Sequence, residues 1–193
     1  MQGIPCSELI TEEASRQNIV RSRSFGSMVT NLDGLQAAIS HHITAGAAKL
    51  REQNSQAHII GVFIYTNRFR HDLPQYNGYR ITKLPQASND TLTLNHIARN
   101  LLNSIYRPGY EYKKCGIELS GIEPEHTFRQ LDLLCHSQHN HRPELMRAWD
   151  NIISRYGRSS IQLGSELQSG DWLMTRTQLS NCITTKFTEI LTI

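Results

Sequence analysis

Apolar and polar positions along this chain switch between a period of two and a period near 3.6, and the switches mark its elements. Residues 18 to 29 are rich in Ser and β-branched residues, with Arg21 and Arg23 at alternate positions, which predicts a strand. Thr30 with Asp33 three residues later resembles a capping box. Leu32, Leu35, Ile39, Ile43, Ala47 and Leu50 then recur at helical spacing, predicting an amphipathic helix of about five turns. The apolar run Ile59 to Tyr65, closed by Thr66-Asn67-Arg68, has the length of a buried central strand. After a connection containing Pro74, Tyr79 to Leu84 alternates strictly, as in a half-exposed strand ended by Pro85. Ser88-Asn89-Asp90 can cap a second helix. Its stripe is Leu94, Ile97, Ala98, Leu101, Leu102 and Ile105, and Arg107-Pro108-Gly109 stops it. Tyr110 to Leu119 reads as a fourth strand, with Cys115, Ile117 and Leu119 on one face and Tyr112 and Lys114 on the other.

The expected class is therefore α+β. The order β-α-β-β-α-β places two helices on one face of a four-stranded sheet and leaves the other face for a ligand. From Ser120 to His141 the chain turns polar and His-rich, as an exposed linker would. A third helix is predicted from Pro143, with the stripe Leu145, Met146, Trp149, Ile152, Ile153 and Tyr156, and Gly157 past its end. Ile161 to Leu163 and Trp172 to Met174 could pair as a small hairpin. The expected division is a linker over 1–17, a binding domain over 18–120, a second linker over 121–141 and a tail subdomain over 142–193.

Composition narrows the class. The chain has 193 residues, enough for one core of about 100 residues and a smaller satellite. No apolar run approaches the roughly 18 residues that span a bilayer. The start lacks the basic and apolar regions of a secretion signal, so a cytoplasmic location is expected. The four cysteines (Cys6, Cys115, Cys135, Cys182) form no C-x-x-C pair, which argues for reduced thiols rather than a zinc module or disulfide framework. Cys135, His136, His139 and His141 are metal-ligand types at poor spacing, and no metal or other cofactor is expected in this chain.

A net charge of +3 is small, but it is unevenly placed. From Arg16 to Lys83 nine Lys/Arg stand against three acids, a footprint that attracts phosphate. Arg21, Arg23, Arg68, Arg80, Lys83, Lys113 and Lys114 fall on predicted strands or their ends, where a sheet can array cations against a phosphate backbone. Ser22, Ser24 and Gly26 are small enough to let backbone amides approach phosphates. A solvated basic surface is the competing reading of the same residues. Gln130-Leu131-Asp132-Leu133-Leu134 places alternating large apolar residues in a polar stretch, as in a peptide that docks into a groove. Those leucines could instead pin the linker to its own domain. Trp149 and Trp172 read as core residues of the tail. No G-x-S-x-G, Walker loop or G-x-G-x-x-G is present, and the acids show no metal-holding pattern.

The stretch Arg21-Ser22-Arg23-Ser24-Phe25-Gly26, the helix with Ala47-Ala48-Lys49-Leu50-Arg51, then Phe63 to Phe69 and Tyr106 to Gly116, closely resemble the UmuC-type Y-family DNA polymerases. The resemblance continues through Leu145-Met146, Arg155 to Arg158, Trp172 to Met174 and Thr184-Thr185. It corresponds to the little finger domain and the UmuC-specific tail, with the palm, fingers and thumb of the family upstream. Gly3-Ile4-Pro5-Cys6 looks like the end of the thumb, so an excised domain or truncated product is expected.

The resemblance implies a DNA-gripping and clamp-docking portion of an error-prone translesion polymerase acting in SOS mutagenesis and DNA repair, unable to polymerise alone. Mg2+ would belong to the palm. Primer-template DNA would meet Arg21, Ser22, Arg23, Ser24, Phe25, Gly26, Thr66, Asn67, Arg68, Arg80, Lys83, Tyr112, Lys113 and Lys114. Gln130 to Leu134 is similar to the family's Gln-Leu-x-Leu-Phe motif for the β sliding clamp, with Leu134 in place of the aromatic. A UmuD-like subunit and RecA are further implied partners, in the bacterial cytoplasm near the nucleoid. Ser180-Asn181-Cys182-Ile183-Thr184-Thr185 departs from the family's Ser-Pro-x-Tyr-Thr-Thr by losing Pro and Tyr. The rival readings are a protein-interaction domain that binds polymerase accessory subunits with little DNA contact, and a ferredoxin-like RNA binder. The second is disfavoured because the predicted strands lack an aromatic RNP pattern.

Overall fold

A computed structural model describes residues 15–125, 142–167 and Trp172. Strand β1 (Ile19–Val29) leads into helix α1 (Leu32–Glu52), strands β2 (Ser55–Thr66) and β3 (Asn77–Ser88), helix α2 (Thr91–Ile105) and strand β4 (Tyr112–Pro124). The order is the one expected from the hydrophobic pattern. Helix α3 (Pro143–Tyr156) and a single 3-10 turn, Gly164–Glu166, follow.

The strands form one four-stranded antiparallel sheet in the order β1-β4-β2-β3. The two fully paired strands, β2 and β4, are also the most buried. One face of the sheet supplies Ile60, Val62, Ile64, Cys115, Ile117 and Leu119 to the core, and α1 and α2 close over it with Leu35, Ile39, Ile43, Leu50, Leu94 and Leu102. Each such side chain contributes about 1.5–3 kcal/mol by leaving water, so this interface holds the domain together. Burial pushes the Cys115 thiol up, and the protonated, enclosed sulfur serves as packing.

Local chemistry explains the helix ends, with one change from expectation. The α1 cap is Asn31 rather than Thr30; its Oδ1 accepts from the Gly34 N–H at 2.9 Å, while the hydroxyl-bearing Thr30 lies one residue too early. Asp90 caps α2 as expected, accepting from the Thr93 N–H at 2.7 Å. At the end of α3, Gly157 takes a positive φ of 89°, a conformation that a Cβ would strain.

Three strands differ from their sequence outlines. β2 starts four residues earlier, at Ser55, and β4 runs five residues further, to Pro124, beyond the expected domain boundary at 120. β3 continues through Pro85 instead of ending there. It is an edge strand, and the pairing slips between Ala57↔Ser88 and Ile59↔Lys83, so Pro85 falls where no regular ladder bond is needed. A further difference, in β4, reverses a face. Tyr65 pairs with Lys114 but Thr66 pairs with Tyr112, which leaves Lys113 as an extra residue. That bulge shifts the parity, and Tyr112 points into the core with no exposed surface, opposite to its expected placement.

The tail packs on the helical layer. Arg51 grips Asp150 through two hydrogen bonds, Nε to Oδ2 at 2.6 Å and Nη2 to Oδ1 at 2.7 Å. Met146 and Trp149 are buried, with the Met146 sulfur accepting from the Thr91 N–H at 3.5 Å. The expected α3 stripe is only partly used, because Leu145, Ile152 and Tyr156 are exposed. The first arm of the expected hairpin is revised: residues 161–163 are not a strand, and Leu163 instead caps the 3-10 turn as a buried anchor, while Ser169, Gly170, Leu173 and Met174 lie outside the described residues. Trp172 is buried beside the His41 and His42 rings, at 5.3 and 6.4 Å between centroids. Both tryptophans are thus packing residues, as expected.

Candidate nucleic-acid interface

Register assigns each candidate to a side of the sheet, because residues paired across strands share a face. Arg21 pairs with Ile117 and Arg23 with Cys115, both core residues. The two arginines therefore emerge on the helix-covered side, at the outer edge of β1. Ser22 pairs with Gly116 and Ser24 with Lys114, so these three polar side chains and Gly116 belong to the open face. Arg80 shares the side of Val62, at the other edge of the sheet, whereas Lys83 pairs with Ile59 on the open face. The cations expected to line one surface are divided between two.

Other candidates are committed elsewhere. Phe25 is 1% exposed and belongs to the core cluster, which removes its ring from any surface contact. Gly26 is exposed within the irregular stretch of β1 between Ser24 and Val29. Tyr112, expected at the surface, donates its hydroxyl to the Arg107 carbonyl at 2.8 Å and accepts from the Arg107 N–H at 3.0 Å. Its work is to tie the α2–β4 turn to the core, and burial raises the phenol's pKa. Thr66 is buried, accepting from the Tyr76 N–H at 3.0 Å and donating to Gln75 Oε1 at 3.0 Å. Lys113, the bulged residue, spends its ammonium on the Phe25 carbonyl at 2.7 Å and so fastens β1 to β4.

Asn67 and Arg68 open the β2–β3 loop, where Asn67 Oδ1 accepts from the Phe69 N–H at 3.1 Å. The Gln75 amide donates to the carbonyls of Asn67, Arg70 and Leu73 at 3.2, 2.8 and 3.1 Å, bracing the loop from within. Arg68 is exposed, with its guanidinium 5.7 Å from the Phe69 ring centre.

The open face holds more aromatic and apolar surface than the sequence reading expected. Phe63 and Tyr65 stack at 5.1 Å between centroids, and the Tyr79 hydroxyl donates to Glu118 at 3.2 Å. Phe63 pairs with Gly116, where any larger residue would drive its own Cβ into the Phe63 ring and to within 2.5 Å of the Ser22 Cβ. Val20, Tyr79 and Ile81 are 59%, 49% and 48% exposed on this side. The signal was present as Phe63 and Tyr65 two residues apart, but a run apolar on both faces conceals which members look outward.

Among the described residues no group of three or more His, Cys, Asp or Glu is placed to hold a metal ion. No helix among them is long and apolar enough to cross a membrane. Cys135, His136, His139 and His141, and the expected docking motif Gln130 to Leu134, lie outside the described residues.

Comparison with known proteins adds to this geometry. Residues 16–133 match the impB/mucB/samB family C-terminal domain, and residues 143–193 match a domain of unknown function, DUF4113. Protein ImpB of Salmonella typhimurium is 29% identical over 191 residues, Protein SamB of the same species 31% over 191, and Protein UmuC of strain LT2 28% over 192. These alignments cover 98–99% of this chain and 45% of each relative, so the chain spans about half the length of the curated relatives it matches. Among solved structures, the little finger domain of PolIV in complex with the beta-clamp processivity factor aligns at TM-score 0.43 and 16% identity, covering 61% of this chain and 99% of that one. An insertion ternary complex of Dbh DNA polymerase aligns at TM-score 0.46 and 13% identity, covering 55% and 29%. With more than half of its residues matched by the family model, the chain belongs to the impB/mucB/samB family and carries that family's C-terminal domain.

Proposed function

We propose that this chain is the DNA-gripping and sliding-clamp-docking portion of an error-prone translesion DNA polymerase of the Y family, acting in SOS mutagenesis and DNA repair in the bacterial cytoplasm. The observation that carries the reading is the β1 edge. Among the described residues β1 is laddered only to β4, which leaves the outer side of its backbone as a sheet edge. Ser22, Ser24 and Lys114 lie on one side of that edge and Arg21 and Arg23 on the other. Backbone amides and small hydroxyls flanked by cations suit a phosphate backbone and carry no base code, so the contact would track a duplex rather than read it. The chain would hold DNA without transferring nucleotides.

Docking to a β sliding clamp through Gln130 to Leu134, and association with a UmuD-like subunit and RecA, belong to the same proposal by family resemblance. Duplex binding measured by anisotropy should weaken steeply with salt, and Arg23→Gln with Lys114→Gln should lower the log–log slope by about 2, at roughly 0.9 per phosphate contact. Absence of binding even at low salt rejects the DNA reading. Leu131→Ala with Leu133→Ala should abolish retention on an immobilised clamp, and undiminished retention rejects that half.

One observation favours a second reading. The aromatic and apolar side chains of the open face, with Glu118 among them, suit a protein surface better than a phosphate backbone. In that reading accessory subunits cover the open face, and DNA contact is minor.

A further inference from the structure

Cations from four separate parts of the chain converge on the helix-covered side of the β1 edge. Arg21 reaches that side through its register with Ile117. Arg16, just before β1, is held at the end of α1: its N–H donates to Gln53 Oε1 at 3.3 Å, and Gln53 Nε2 donates back to its carbonyl at 3.2 Å. Lys49 lies in the last turn of α1, one turn before Gln53. Arg158 arrives from beyond α3, which the Arg51–Asp150 pair clamps to the same end of α1.

Their charges act on one another. Burial comes first in lowering the Arg21 pKa, followed by repulsion from Arg158, Arg23 and Arg16. Lys49 is lowered by desolvation and then by Arg16 and Arg21, with only Glu52 opposing and Arg158 adding to the effect. Among the described residues none of the four forms an ion pair, whereas Arg51 and Arg70 each hold an aspartate at 2.6 Å. The helix dipole accounts for a lysine in the last turn of α1. It does not account for three arginines brought there by other elements.

We propose that Arg16, Arg21, Lys49 and Arg158 form a binding site for a phosphate polyanion on the helix-covered side of the β1 edge. Like charges gathered with only Glu52 acting against them among the described residues cost stability, and an anion with several phosphate groups converts that repulsion into attraction. Three guanidinium forks supply paired donors for phosphate oxygens, and the lysine supplies a point charge. The polyanion is either the backbone of a nucleic acid or a soluble polyphosphate. The site shares Arg21 with the DNA grip proposed above, but Arg16, Lys49 and Arg158 are its own, and Ser22, Ser24 and Lys114 lie across β1 from it.

The test compares the full chain with its Lys49→Gln/Arg158→Gln double variant at low salt. Tripolyphosphate should raise the Tm of the parent chain and leave the variant nearly unchanged. Without anion, the variant should melt no lower than the parent, because repulsion has been removed; the single variant Lys49→Gln, at a half-buried helix position, guards against a folding defect in the pair. The salt slope of binding to a blunt DNA duplex then identifies the source. A slope lower by about 1.8 in the variant assigns the site to nucleic acid, and an unchanged slope with a lost tripolyphosphate response assigns it to a soluble polyanion. Equal responses of parent and variant to both anions overturn the proposal. If the parent chain ignores duplex DNA while the tripolyphosphate response is lost in the variant, the DNA grip falls and this site stands.

Discussion

His42 makes the stability of this domain depend on pH in a window where no exposed histidine would. It sits on the buried side of α1, 4% exposed, and its Nε2 has no hydrogen-bond partner among the described residues. Burial lowers its pKa from 6.5 to about 3, and His41, Arg21 and Arg23 add repulsion against a proton. In the folded chain the ring therefore stays neutral down to about pH 3, whereas the unfolded chain takes up a proton below 6.5. The unfolded state binds more protons across that window, so stability falls as the pH drops. Each unit costs about 1.4 kcal/mol, and the loss at pH 4 is on the order of 3 kcal/mol. His42→Leu removes the titration at similar volume. Urea unfolding of the parent chain and the variant from about pH 8 to pH 4 should give curves that run parallel above 6.5 and diverge below it, the parent losing more. Taking the difference cancels the carboxylates and remaining histidines, which both proteins share. Curves parallel throughout would refute the claim that a neutral imidazole is enclosed against Trp172.

Two other predictions probe residues whose roles the fold reassigned. Tyr112→Phe removes the hydroxyl that both donates to and accepts from the Arg107 backbone, and should cost about 1–2 kcal/mol of stability in urea unfolding; duplex affinity should stay within error, and a selective loss of affinity would return Tyr112 to the binding surface. A double-mutant cycle of Arg51→Met and Asp150→Asn should give a coupling of about 1 kcal/mol, reduced by the partial exposure of Asp150. Amide exchange along α3 should accelerate in either single variant, and unchanged exchange would mean that Met146 and Trp149 hold the helix unaided.

The order of elements was legible because it depends on local periodicity: the stripes from Leu32 to Leu50 and from Leu94 to Ile105 can bury their apolar residues only as helices. The Asp90 cap and the stop at Arg107-Pro108-Gly109 were legible for the same local reason. Which side of the sheet a residue occupies was less secure, because a single inserted residue reverses the parity. Lys113 is such an insertion, and it moved Tyr112 from the expected binding face into the core. Pro85 shows the converse. A proline that ends most strands was accommodated because topology put β3 at an edge and the ladder slips there.

The candidate site divided along the same line. Sequence alone determined that cations gather between Arg16 and Lys83, that Ser22 and Ser24 alternate with Arg21 and Arg23, and that the fold is a sheet with two helices on one side, since each follows from residue type and spacing. Tertiary structure alone decided that Arg21 and Arg23 face the helix-covered side, that Phe63, Tyr65 and Tyr79 give the open face its aromatic character, and that Arg158 and Lys49 come close enough to Arg21 to repel it. The physical reason is that charge and periodicity are properties of a segment. Facing and proximity are set by strand register, bulges and the Arg51–Asp150 clamp, each of which joins residues far apart in the chain.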